Sequence, residues 1–137
     1  MSKLKQKRGF TLLEIIVVII IIGVLASLAM PRFFRTVEYS RGMEALTHLS
    51  ALRSAMERCY LISNSFTPCS SFANLDVDNP TTLTGTHFTY TLTPPPGTTT
   101  FTVTAWRNTL DGGVNTNFIL IAQDGGKSGS GAFQNVR

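Results

Sequence analysis

From Phe10 to Met30 the chain is apolar at almost every position, and a single charge, Glu14, stands near the start of the run. A helix over this stretch rises ~1.5 Å per residue and spans ~30 Å, the hydrocarbon thickness of a bilayer. Isoleucine and valine dominate, residues of modest helix propensity in water. Lipid offers no partner to a backbone N–H or C=O, so a segment embedded there is forced into helix. The pattern changes after Pro31. From Arg32 to about Ile62 there is no proline and one glycine, Gly42, and Leu46, Leu49, Leu52, Met56 and Cys59/Tyr60 recur at spacings of three and four. That period predicts an amphipathic helix whose apolar stripe packs against a sheet. Glu38 with Arg41, and Arg53 with Glu57, stand one turn apart and are spaced to pair. Joined, the two stretches predict one helix of about 53 residues, weakened at Gly23 and kinked near Pro31, where a backbone donor is missing.

Beyond Ile62 the period shortens to two. Ser63 to Thr86 is rich in Ser, Thr, Asn, Gly and Pro and reads as a loop. In His87 to Thr93, Phe88, Tyr90 and Leu92 alternate with polar positions; in Thr100 to Trp106, Phe101, Val103 and Ala105 do the same. Phe118 to Gln123 reads as a third strand, and Ala132 to Val136 as a short edge strand. Pro94-Pro95-Pro96-Gly97, Asp111-Gly112-Gly113 and Asp124-Gly125-Gly126 mark the turns. The expected fold is α+β: a roll in which one long N-terminal helix packs on a three- or four-stranded antiparallel sheet. The outward threonines make its far face polar yet uncharged.

Positive charge before the apolar run (Lys3, Lys5, Lys7, Arg8), with none close after it until Arg32, fits an N-in orientation with everything beyond Met30 exported. Cys59 and Cys69 are the chain's two cysteines. Ten positions apart on an exported domain, they are expected to form a disulfide that ties the helix end to the following loop. Glu14 falls where an ionisable group costs ~2.5–3.5 kcal/mol if drawn into hydrocarbon, so a partner or a function is expected for it.

The segment Arg8-Gly9-Phe10-Thr11-Leu12-Leu13-Glu14, followed at once by the apolar run, resembles the class III signal peptide of type IV prepilins and of the pseudopilins of type II secretion systems. The resemblance implies cleavage between Gly9 and Phe10 by a prepilin peptidase, N-methylation of Phe10, and a role for Glu14 in assembly. The new amine at Phe10 lies one helical turn before Glu14. Pairing it with this carboxylate, in the same or a neighbouring subunit, removes two charges from a dry core and sets the axial stagger. Gly23 and Pro31 match the glycine and proline between which the family's helix loses helicity in assembled pili. The implied organisation is a leader (1–9), a transmembrane and assembly helix (10–31) and an exported globular domain (32–137). The implied function is that of a structural subunit of a type IV pilus, a filament serving adhesion, motility or DNA uptake. A pseudopilin of type II secretion and a minor pilin acting as a binding module are the alternatives. Expected partners are identical or related subunits, the peptidase, the inner-membrane assembly platform and, before assembly, membrane lipid; the assembled protein would lie in an extracellular pilus or a periplasmic pseudopilus.

Charge changes meaning under that reading. The full chain carries 12 basic and 8 acidic residues, a net +4, but removing the four leader cations leaves eight of each. The basic balance is then a targeting signal, and no nucleic-acid partner is expected from it. A DNA-binding pilin would need a basic patch with aromatic platforms, whereas these cations lie largely on the helix. No nucleophile motif, glycine-rich phosphate loop or carboxylate pair outside Asp76 and Asp78 suggests an enzyme, and no cofactor is implied. Two cysteines with no histidine between them make a poor metal site, and His48 and His87 are distant in sequence. Asp124 lies where secretion pseudopilins carry a calcium loop, but the tail offers no second carboxylate, and an ordinary turn is expected there.

Overall fold

The computed structural model describes residues 9–94 and 99–136. A single helix, α1, runs unbroken from Leu12 to Ser63 with Pro31 inside it. Four strands follow, β1 (Phe88–Thr93), β2 (Thr102–Arg107), β3 (Phe118–Ala122) and β4 (Lys127–Gly129), paired antiparallel in the order β1-β2-β3-β4. The chain divides into two compact units that meet between Thr36 and Val37. In the first, every described residue is exposed, including the whole apolar run. That run is long and apolar enough to cross a membrane. The turn containing Gly23 and the one containing Pro31 are both helical.

In the second unit α1 buries the face that its sequence period marks: Leu46, Leu49, Leu52 and Met56, joined by Gly42, Ala45 and Ala55. Against it stand Phe88, Tyr90, Phe101, Val103, Ala105, Ile119 and Ile121 from the sheet, closed off by Phe66, Cys69, Phe133 and Val136. The register explains this selection. Tyr90 pairs with Ala105 and Ala105 with Ile119, while Leu92 pairs with Val103 and Val103 with Ile121, so the inward positions align in rows across the strands. The opposite rows, Thr89–Trp106–Phe118, Thr91–Thr104–Leu120 and Thr93–Thr102–Ala122, make an outer face without a charged side chain.

The connection expected as an open loop contains three short 3-10 turns, Pro68–Ser70, Phe72–Asn74 and Pro80–Thr82. Cys59 and Cys69 are bonded, with Cα atoms 6.0 Å apart. Closing a loop this short contributes ~2–3 kcal/mol by the chain-entropy estimate. Beside the disulfide, Tyr60 stacks on Phe66 (4.5 Å between ring centres) and Phe66 contacts Phe101 at 4.8 Å, which roots the loop in the core.

The edge strand lies earlier than the alternation around Ala132–Val136 suggests. Asp124 Oδ1 accepts from the Gly126 N–H at 2.8 Å and the Ala122 N–H donates to the Gly126 carbonyl, so the chain reverses at once and Lys127–Gly129 pairs with β3. Gly131–Phe133 then forms a 3-10 turn, and its Phe133 ring lies over Gly42 of α1. A Cβ on Gly42 would stand 2.8 Å from that ring, whose burial leaves it nowhere to swing. Glycine inside a helix normally costs up to ~1 kcal/mol relative to alanine. Here close packing reverses the sign: Gly42→Ala is expected to destabilise by about 1–3 kcal/mol in denaturant melts, the range for overpacking. A stabilised variant would show that Phe133 does not close the core there.

Candidate functional site

The start of α1 is built by a reciprocal cap. Thr11 Oγ1 accepts from the Glu14 N–H at 3.2 Å, and Glu14 Oε2 accepts from the Thr11 N–H at 3.5 Å. This is a capping box: a hydroxyl and a carboxylate three residues apart satisfy two donors that a helix start otherwise leaves open. Glu14 is thereby turned back toward Phe10, the residue just before the cap. A carboxylate in the first turn also meets the positive end of the helix dipole. Glu14 is exposed, as is Phe10. The leader cations Lys3, Lys5, Lys7 and Arg8 lie outside the described residues. Thr11 carried no role in the sequence reading, although Thr-x-x-Glu ahead of an apolar run is the signal for such a cap.

The second constellation closes the head. Arg107 has no exposed side-chain surface. Its Nε donates to Glu38 Oε1 at 2.7 Å and its Nη2 to Glu38 Oε2 at 3.3 Å. Nη1 donates to the His87 carbonyl and to the Asn108 carbonyl and side-chain oxygen. A Cβ on Gly113 would collide with the Asn108 carbonyl and the guanidinium, so only glycine lets the connection after β2 cover this charge. Arg41 extends the network to Glu38 (3.4 Å) and Asp111 (3.0 Å), and His87 Nε2 meets Asp111 Oδ2 at 2.9 Å. Burial pushes the Glu38 carboxyl up, but hydrogen bonds and charge from Arg107, then from Arg41, outweigh it and leave it below the usual range. The hydrogen bond with His87 lowers Asp111, with the charges of Arg41, His87 and Arg107 behind it. Nothing in the sequence reading singled out Arg107; its inward register after Val103 and Ala105 was the available signal.

Ion pairing runs through the rest of the head. Arg53 pairs with Glu57 at 3.0 Å and also donates to the Gln123 carbonyl, and Arg58 holds Asp76 through two hydrogen bonds. A cleft of about 570 Å³ lies between Glu57, Phe101, Gln123 and Asp124. Its carboxylates are already engaged, Glu57 by Arg53 and Asp124 by the turn it caps. His48 sits edge-on to Tyr90 at 5.7 Å, apart from the His87–Asp111 pair. Among the described residues no group of three or more His, Cys, Asp or Glu is placed to hold a metal ion.

Comparison with known proteins adds the family. Residues 4–30 match the prokaryotic N-terminal methylation motif. Residues 31–126, more than half of the chain, match the model described as type IV minor pilin ComP, DNA uptake sequence receptor. The chain belongs to this pilin family. Relatives include the type II secretion system core protein G of Vibrio cholerae, 38% identical over 50% of this chain and 46% of that protein. The type IV major pilin protein PilA of Myxococcus xanthus is 39% identical over 50% of this chain and 30% of its own length. The core protein G of Dickeya chrysanthemi is 44% identical over 47% and 41%. These matches span less than half the length of each relative. No solved structure matches the chain significantly. A pilin is a structural protein, and the helix-on-sheet architecture of this one fits the family.

The polar network of this pilin makes its head acid-sensitive. Glu38 and Asp111 ionise more readily folded than unfolded, so their stabilisation is present above their unfolded pKa values, near 4, and is lost as pH falls through the lower folded ones. Denaturant melts between pH 7 and pH 3 should show stability falling mainly below about pH 5. Glu38→Gln should cost about 2–3 kcal/mol at neutral pH, less than a fully buried pair because Glu38 keeps some contact with water, and should flatten the acid limb. An unchanged limb in that variant would remove Glu38 from the acid response.

Proposed function

We propose that this chain is a subunit of a type IV pilus, made as a membrane-anchored precursor, cut between Gly9 and Phe10, methylated on Phe10 and assembled through its apolar helix. The observation that carries this reading is the capped start of α1. The Thr11–Glu14 box holds a carboxylate beside Phe10, at the head of a fully exposed apolar helix. Such a surface needs lipid before assembly and other subunits' helices afterwards. Cleavage creates a positive amine at Phe10, and its pairing with Glu14 of a neighbour would neutralise both charges and set the stagger between subunits. In this reading residues 10–31 anchor and assemble, and residues 32–137 form the exported domain. The protein passes from a single-pass inner-membrane form to an extracellular filament, with the peptidase and the assembly platform as partners. Gly23 and Pro31 then bound the stretch that extends on assembly, glycine supplying backbone freedom and proline a broken hydrogen-bond ladder.

The relatives named core protein G keep a type II secretion pseudopilus as the alternative assembly. The minor-pilin match to residues 31–126 favours a second role, reception of a DNA uptake sequence at the filament. Charge weighs against a strong electrostatic footprint for that role. Arg41, Arg53, Arg58 and Arg107 each face a carboxylate, which leaves less cation to release counterions from a duplex.

Two substitutions separate charge from capping. Glutamine can fill the reciprocal position of a capping box and alanine cannot. Glu14→Gln should therefore keep the helix start, insertion and leader removal while losing the partner of the Phe10 amine. Both Glu14→Gln and Glu14→Ala are expected to reduce surface filaments at least tenfold with normal processing, scored by filament counts and by mass spectrometry of the N-terminal peptide. Normal piliation in Glu14→Gln would refute the pairing, and an intact leader on filament protein would refute the pilus assignment itself.

A further inference from the structure

We propose that Arg32 and Arg35 form a phosphate clamp that holds the unassembled subunit to anionic phospholipid at the outer face of the inner membrane. The proposal rests on the membrane-anchored reading above. It starts from a contrast in pairing. Arg41, Arg53, Arg58 and Arg107 all have a carboxylate partner, whereas Arg32 and Arg35 make no ion pair among the described residues. Glu38 is the carboxylate nearest to them in sequence, one helical turn beyond Arg35. Its Oε1 is taken by Arg107, and its Oε2 is shared by Arg107 and Arg41. The folded head therefore leaves these two guanidinium groups for an anion from outside the chain.

Their position selects the anion. The apolar run ends at Met30, and Arg32 stands roughly 33 Å along the helix axis from Phe10, so both arginines reach the level of the lipid headgroups when the run fills the hydrocarbon. On a helix, residues three apart are neighbours with Cβ atoms ~5–6 Å apart, so Arg32 and Arg35 can converge on one phosphate. Phe33 and Phe34 point to the remaining sides, 61% and 62% exposed, with their rings in edge contact at 6.1 Å. Aromatic rings at this depth settle among headgroups and acyl-chain ends, and arginine stems extend so that the charge stays in the polar layer. The resulting girdle has two cations, no anion of its own and two apolar wedges. Its net charge favours a lipid with net negative charge, such as phosphatidylglycerol, over zwitterionic phosphatidylcholine.

The test uses the mature full-length chain, from Phe10, in nanodiscs of mixed phosphatidylglycerol and phosphatidylcholine, with native mass spectrometry counting the lipids that stay bound. Fluorescence of Trp106, the chain's single tryptophan, reports whether the head is folded in each variant. Wild type should retain phosphatidylglycerol preferentially, and the Arg32→Gln/Arg35→Gln double variant should lose that preference by roughly tenfold or more. Arg58→Gln, which removes a head cation instead, should keep it. Equal retention of both lipids by wild type would overturn the clamp, as would a preference that survives in the double variant. Displacement of the lipid by inorganic phosphate would mark a soluble-anion site, and displacement by a short DNA duplex a nucleic-acid site; either overturns the lipid assignment. Failure of the chain to insert at all would sink the membrane-anchored reading, whereas insertion without lipid preference sinks only the clamp.

Discussion

A guanidinium with no exposed surface dictates how the head is put together. Left unpaired, a buried charge costs several kcal/mol, so every donor of Arg107 must find an acceptor within reach. The acceptors come from three parts of the chain: the carboxylate of Glu38 on α1, the carbonyl of His87 at the start of β1, and Asn108 directly after β2. Satisfying one side chain therefore sets which turn of the helix lies over the end of the sheet. It also determines the route by which the chain leaves β2, past a glycine that tolerates the contact. Glu38 draws in Arg41, and Arg41 and His87 both hold Asp111. The apolar core supplies most of the driving force for folding, but burial is non-directional and would accept several helix registers. The arginine discriminates among them.

Neutralising the head's arginines in this way has an external consequence. The outer face of the sheet carries no charged side chain on β1, β2 or β3: rows of threonine cross it, with Trp106 packed on Phe118 at 5.0 Å. In a crowded filament, charge meeting like charge on identical neighbours is a penalty repeated at every contact. Pairing Arg41, Arg53, Arg58 and Arg107 with the head's own carboxylates reduces it. Among the described residues Arg32 and Arg35 make no ion pair, and both stand just beyond the apolar run of α1.

Much of this was legible in the chain because the governing physics is periodic or local. The run from Phe10 to Met30 announces its helix through length and apolarity, the Leu46–Met56 stripe through its spacing, and the strands through alternation, since each pattern records which face meets water. The cysteine pair was readable because the chain has only two cysteines, ten positions apart on a domain expected to be exported. The Thr-x-x-Glu spacing at Thr11 is an equally local signal, but it lies beside the much stronger apolar one. The edge strand was misplaced because alternation near Ala132 competes with the turn at Asp124. The turn prevails: its hydrogen bonds form locally and bring Lys127–Gly129 beside β3 first.

By itself the sequence determined where the chain changes from an apolar run to an amphipathic one, which faces of its helix and strands turn inward, and which residues stand near the helix start. Those properties follow from residue type and spacing within a few turns or a single strand. Tertiary structure alone decided that Arg107 meets Glu38 across 69 positions, that Phe133 closes over Gly42, and that Arg32 and Arg35 make no ion pair among the described residues. Alternation after Val103 and Ala105 points Arg107 inward, but nothing local names Glu38 as the partner that lets a charge be buried there. Whether a charge is satisfied depends on what else reaches it, and that is settled only when distant segments compete for the same buried space.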